Sequence, residues 1–178
     1  MRPTFKFALR EDLKNDKRFL PTKAEPMATG WDVSAAIKTQ YVINPGQWVK
    51  IPLGFRMFAP YGWWMELRPR SSTTAKKKMH ALYGVLDQDF FGEVIFTAQY
   101  IPEEIFNLEY SFYEDDKKNE AYSYAEKLTI DPGDRIGQII PVRRQEMIVE
   151  EVSNEEYSAL AKARGGVRGE GGHGSTGK

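Results

Sequence analysis

The turn-forming triplets Asn44-Pro45-Gly46, Pro60-Tyr61-Gly62 and Asp131-Pro132-Gly133 cut the middle of this chain into pieces too short for a run of helices. The piece between the first two alternates Trp48, Lys50 and Pro52 with Val49, Ile51 and Leu53, the period of a half-buried strand. "WWMELRPR", "GEVIFTAQYI" and "RIGQIIPVRR" are three further short runs. Short strands broken by Pro and Gly turns predict an all-β fold, a sandwich or a barrel. One helix is predicted, over "NEEYSALAKAR", with Asn154 as its N-cap. No repeat of solenoid length is present.

With 178 residues, 41% of them hydrophobic, the chain fits one domain with a real core. Basic and acidic residues number 25 each, so a general nucleic-acid binder, which is usually basic, is not expected. The absence of cysteine excludes disulfides and thiolate metal sites and fits a reducing interior. There is no membrane-length apolar run, and "MRPTFKFALREDLKNDKR" is too charged for a signal peptide, so a cytoplasmic protein is expected. Two regions stand apart. Residues 101–130 are acidic and aromatic, with a charge-rich centre at Glu114–Lys118, and too long for a hairpin turn. From Arg164 the chain is Gly-rich and cannot pack as a core element.

Five stretches carry candidate chemistry. In the tail "RGEGGHGSTGK", glycines let the backbone approach a ligand. Arg168 supplies a phosphate-binding fork, His173 a flat ring, Ser175 and Thr176 hydroxyls. Taken alone, the same tail reads equally as a disordered Gly/Ser segment. In "LRPRSSTTAKKK", Arg68, Arg70, Ser71 and Ser72 stand at a strand end, as a phosphate cradle or a solvated surface turn, with Lys76–Lys78 solvated. In "GVLDQDFFGEV", Asp87 and Asp89 are two apart: they share a face on a strand and diverge across a turn. The apolar lead-in Tyr83, Val85 and Leu86 is expected to desolvate Asp87 in part, as a general base requires. "GDRIGQIIPV" brings Gln138, and "ATGWDVSAA" brings Asp32; each is also an ordinary turn sequence.

In this order, "ATGWDVSAA", "PRSS", "GVLDQDFFGE", "GDRIGQIIPV" and "RGEGGHGSTG" resemble the five motifs of the dUTPase family, across roughly Ala24 to Lys178. "PRSST" and the insertion before the fourth motif are similar to phage-type members. The resemblance implies a jelly-roll-like β-barrel over 1–163 with an insertion at about 101–130, and a flexible arm, 164–178, that closes over the active site. It implies a homotrimer with active sites at subunit boundaries. It also implies hydrolysis of dUTP to dUMP and pyrophosphate, which limits uracil in DNA and supplies dUMP for dTMP synthesis. By the same resemblance Asp87 is the general base. Ser71 contacts the phosphate chain near the α–β bridge, with Arg70 at the same site. Gln138 binds phosphate, Arg168 clamps the γ-phosphate, and Asp32 supports the phosphate and arm region. His173 takes the place of an aromatic that stacks on uracil, followed by Gly174 and the phosphate-binding Ser175 and Thr176. Backbone groups about Ala81 to Gly84, continuing into Val85, select uracil. Mg2+ is held mainly by the substrate phosphates and water, with no protein metal site.

Two positions depart from the family pattern. Phe90 stands where Tyr packs under the deoxyribose, and Ser72 replaces a frequent Gly, with its backbone N–H still able to donate. "RSS" also occurs in deaminase-like sequences, which leaves a dCTP deaminase or a dual dCTP/dUTP hydrolase as the alternative. The complete Gly-rich arm and "LDQDF" look like the hydrolase. A different class of function, protein binding, is suggested by Phe106, Tyr110, Phe112, Tyr113, Tyr122 and Tyr124 in the insertion, although packing of these rings onto the barrel or a neighbouring subunit is the favoured reading.

Overall fold

The computed structural model describes residues 2–102 and 126–165. Met1–Arg144 and Gln145–Lys178 are two compact units. Among the described residues the last strand ends at Arg143.

Among the described residues the strands of the first unit pair antiparallel throughout. Its strands are β1 (Lys6–Leu9), β2 (Trp31–Ser34), β3 (Tyr41–Ile43), β4 (Trp48–Phe58), β5 (Trp63–Pro69), β6 (Met79–Ala81), β7 (Gly84–Leu86), β8 (Glu93–Tyr100), β9 (Leu128–Ile130) and β10 (Arg135–Arg143). They form two four-stranded sheets, ordered β1-β4-β8-β6 and β2-β10-β5-β7, and a ribbon of β3 with β9. The three predicted turns are present: Gln47 N–H donates to Asn44 O, Trp63 to Pro60 O and Asp134 to Asp131 O.

Alternation works as read. Val49, Ile51 and Leu53 of β4 are buried while Trp48 is exposed. Val94, Phe96, Ala98 and Tyr100 of β8 face the same core as Met65 and Leu67 of β5 and Ile136 and Ile139 of β10. The two sheets thus share one apolar interior, whose burial is the main stabilising term. The period breaks once in β4, where Leu53, Gly54 and Phe55 are all buried and the pairing with β8 shifts between Pro52 and Arg56. Gly54 takes φ +76, and a Cβ there would stand 2.6 Å from Ala36 Cβ and collide with Leu13. Only glycine allows that bulge.

Two elements depend on partners far along the chain. Met79–Ala81 and Gly84–Leu86 belong to different sheets, because β6 pairs with β8 and β7 with β5, so Leu82 and Tyr83 carry the chain between sheets. A one-turn helix, α1 (Ser71–Ala75), follows β5. Thr73 Oγ1 donates to Ile136 O at 2.7 Å and Lys77 Nζ meets Asp134 Oδ2 at 2.8 Å, so tertiary contacts hold what local propensity does not. Lys77 is therefore paired rather than merely solvated.

In the second unit, helix α2 spans Asn154–Arg164, the predicted stretch. Its N-cap is Ser153, not Asn154: the Ser153 hydroxyl accepts from Glu156 N–H at 3.1 Å, the Ser-x-x-Glu arrangement of a capping box. Gly165 closes the helix in the left-handed region. The rest of the arm and residues 103–125 lie outside the described residues. No helix among the described residues is long and apolar enough to cross a membrane.

Candidate active site

Among the described residues the buried polar or charged side chains are Asp32, Ser34 and Thr73. They lie in or beside one sheet, where β10 runs between β2 and β5. Gln138 of β10 stands opposite Asp32 of β2 on one side and Arg68 of β5 on the other. Directly opposed residues share a face, so these three form a row across the sheet.

Asp32 is the centre of the cluster. Its Oδ1 takes Arg70 Nε at 2.9 Å and its Oδ2 takes Arg135 Nη1 at 3.2 Å. Arg70 Nη1 also reaches Arg135 O at 3.4 Å. A single buried carboxylate thus orders two guanidiniums, and the cluster keeps net positive charge on its open side. The Arg70 backbone is extended, at the junction of β5 with α1, followed by exposed Ser71 and half-buried Ser72. Gln138 Nε2 donates to Pro69 O at 3.1 Å. Gly30 leaves the room for that amide, because a Cβ there would collide with Gln138 Oε1. On the outer face Arg68 Nε binds Glu66 Oε2 at 2.7 Å, with its guanidinium 5.5 Å above the Tyr83 ring. The hydrogen bond to Glu66, with its charge, raises the Arg68 pKa, so Arg68 stays protonated.

A second cluster sits at the other end of β5. Leu86 is opposite Met65, so Asp87 emerges beside the start of that strand. Phe90 N–H donates to Asp87 O at 3.1 Å, closing a turn in which Asp87 and Asp89 are both exposed. Gln88 Oε1 accepts from Gly62 N–H at 2.8 Å and fastens the turn to the loop before β5. From Met65 to Arg70 is five residue steps, about 16 Å at ~3.3 Å per residue. Within one chain Asp87 and the Asp32–Arg70 pair are therefore apart.

No family model matches the chain. A protein of Bdellovibrio bacteriovorus named deoxyuridine 5'-triphosphate nucleotidohydrolase is 31% identical over 171 residues, 93% of each chain. One of the same name from Wolbachia pipientis is 32% identical over 161 residues, 89% of this chain and 87% of that one. The chain belongs to the dUTPase family. Its fold is also that of a dUTPase mutant from Staphylococcus bacteriophage 80alpha, solved with dUpNHpp, at a TM-score of 0.69 and 19% identity over 98% of this chain and 99% of that one. A dUTPase from Streptococcus mutans aligns with a TM-score of 0.60 and 19% identity, over 80% of this chain and 98% of that one.

Of the positions that carried the dUTPase resemblance, Asp32, Arg70, Ser71, Ser72 and Gln138 come together at one end of β5. Asp87 and Phe90 lie at the other, while Gly84 and Val85 of β7 stand opposite Leu67 and Glu66 between the two ends and Ala81 of β6 is opposite Ala98 in the other sheet. The expected desolvation of Asp87 is not found: Tyr83 and Val85 are 75% and 63% exposed, and only Leu86 of that lead-in turns inward. Arg168, His173, Gly174, Ser175 and Thr176 fall outside the described residues, as do the insertion's aromatics from Phe106 to Tyr124. Sequence reasoning missed Arg135 and Gln88. Arg135 reads as part of a Gly-Asp-Arg turn, and the β2–β10 register shifts between Arg135 and Gly137, so strand period does not align it with Asp32.

Proposed function

We propose that this chain hydrolyses dUTP to dUMP and pyrophosphate at a site completed between copies of a homotrimer. The observation that carries the reading is the division of the site along β5, with the cationic Asp32–Arg70–Arg135 cluster at one end and Asp87 at the other. Two such half-sites on different copies, placed against each other, bring a base to a phosphate-binding surface. Such an approach also covers Asp87, which is exposed in a single chain. The relatives' shared name and the phage enzyme's dUpNHpp complex support the choice of substrate.

In this mechanism Arg70, Gln138, Ser71 and the Ser72 N–H take the phosphates, and Asp32 holds the Arg70 guanidinium in place. Asp87 accepts a proton from water. The water oxygen bonds to the α-phosphorus, the bond from that phosphorus to the α–β bridging oxygen breaks, and pyrophosphate leaves with that oxygen. The Phe90 ring packs against the deoxyribose and excludes a 2′-hydroxyl. The arm contributes Arg168 to the γ-phosphate, His173 to the base, and Gly174, Ser175 and Thr176 to the phosphates. Mg2+ fits as an ion carried on the triphosphate, since the buried carboxylate of the cluster, Asp32, is taken up by two guanidiniums. When bound, it offsets phosphate charge.

Pyrophosphate release with Mg2+, measured in parallel on dUTP, dCTP, dTTP and UTP, tests the proposal. Release from dUTP alone is expected, falling by roughly 10²–10⁴ in Asp87→Asn. Equal release from dCTP moves the assignment to a dual hydrolase, and no release from dUTP by the folded protein overturns it.

A further inference from the structure

The turn that presents Asp87 and Phe90 lies beyond the last rung of its sheet. The β4–β8 ladder ends at Arg56 opposite Glu93, and β7 ends at Leu86, so residues 87–92 have no strand partner. Two side-chain tethers hold the turn instead. Gln88 binds Gly62 N–H at its apex. At its exit the Phe91 ring stacks on Phe58, with centroids 6.3 Å apart and planes at 19°. These neighbouring phenylalanines make different contacts: the Phe90 ring lies over Gly92, where a Cβ would be 2.9 Å from ring Cζ, while Phe91 meets Phe58. Phe58 is itself fixed, as the last residue of β4 and the register partner of Lys6 in β1. Phe58 and Phe91 are 55% and 59% exposed, so the stack is a surface clamp rather than core packing.

We propose that Phe58 is a positioning residue for the sugar side of the site, acting through Phe91 to hold Phe90 over Gly92. Removing the Phe58 ring frees the exit of the turn, and Phe90 then loses the place from which it discriminates against a ribose. The proposal rests on the functional reading above and assigns Phe58 no contact with substrate.

The test compares wild type with Phe58→Leu, Phe91→Leu, the double variant, and Phe58→Tyr, which retains a stacking ring. A melting curve first establishes that each is folded. Steady-state rates on dUTP and UTP follow. Loss of the stack is expected to lower kcat/KM for dUTP about three- to tenfold, chiefly through KM. It also narrows the preference for dUTP over UTP by a similar factor. The double variant is no worse than either single one, and Phe58→Tyr keeps the wild-type preference. A preference for dUTP over UTP that is unchanged in Phe58→Leu, or losses that add in the double variant, overturns the proposal. If Phe58→Leu does not fold, Phe91→Leu decides by the same ratio. A folded wild type inactive on dUTP instead defeats the functional reading, and this one with it.

Discussion

Replacing Asp32 by Asn removes one charge and little volume from the point where two arginines meet. The Asp32 side chain is 9% exposed, that of Arg70 26% and that of Arg135 53%. A hydrogen bond to a charged group contributes about 1.5–3 kcal/mol. Arg70 has little water to turn to and loses most of that. Arg135 is half in solvent and loses a fraction. Asn keeps one acceptor but turns an N–H2 toward the second guanidinium. The net expectation is a loss of about 2–3 kcal/mol, short of the ~3–5 kcal/mol for breaking a fully buried pair. For a chain of this size that lowers Tm by roughly 4–12 °C. The assay is urea and thermal unfolding at fixed protein concentration, since oligomerisation shifts the midpoint. Asp32→Asn, Arg70→Gln and the double variant then form a cycle. Coupling above about 1 kcal/mol is expected, and losses that add within ~0.5 kcal/mol would refute the view that Asp32 orders Arg70.

Two further outcomes follow from local geometry. Gly30→Ala drives the Gln138 amide off Pro69 O, lowering stability by about 0.5–1.5 kcal/mol, the worth of that hydrogen bond, and raising KM for the nucleotide. Gly30→Ala with Gln138→Ala is expected to be no less stable than Gln138→Ala alone, by the same melts. Acid behaviour follows from Asp12 and Asp16, whose hydrogen bonds from Arg10 and Arg18 hold both carboxyls below their usual value. Their contribution is complete above the unfolded value of about 3.9 and is lost as pH falls through the lower folded value. Urea midpoints therefore decline a little from pH 5 to pH 3, and Asp12→Asn flattens that decline.

The strands that a period of two betrays are legible in the residue order alone: β4, β5, β8 and β10 carry alternating apolar residues between turns whose hydrogen bonds form as read. What long-range contacts decide is not legible there. Ser71–Ala75 is helical because Thr73 and Lys77 reach residues near the start of β10 some sixty positions away, while Ser and Thr locally favour a turn. Leu82 and Tyr83 link two sheets because β6 and β7 find different partners. The site follows the same rule. Asp32, Arg70 and Gln138 are visible as residue types, but that two of them share an ion pair with Arg135 in attendance depends on strand order β2-β10-β5. The distance from Arg70 to Asp87 depends on the β5–β7 register, which residue types do not encode.

The central claim is that Asp87 of one copy works with Arg70 of another, and a complementation assay tests it most directly. Asp87→Asn and Arg70→Gln, each inactive alone, are unfolded together in equal amounts, refolded, and assayed for pyrophosphate release from dUTP. Random mixing gives about one site in four with an intact Asp87 from one copy and an intact Arg70 from a different one. The account predicts recovery to about a quarter of wild-type activity. A mixture that reassembles to the wild-type oligomer and stays inactive would contradict it, because each site would then draw both residues from the same chain.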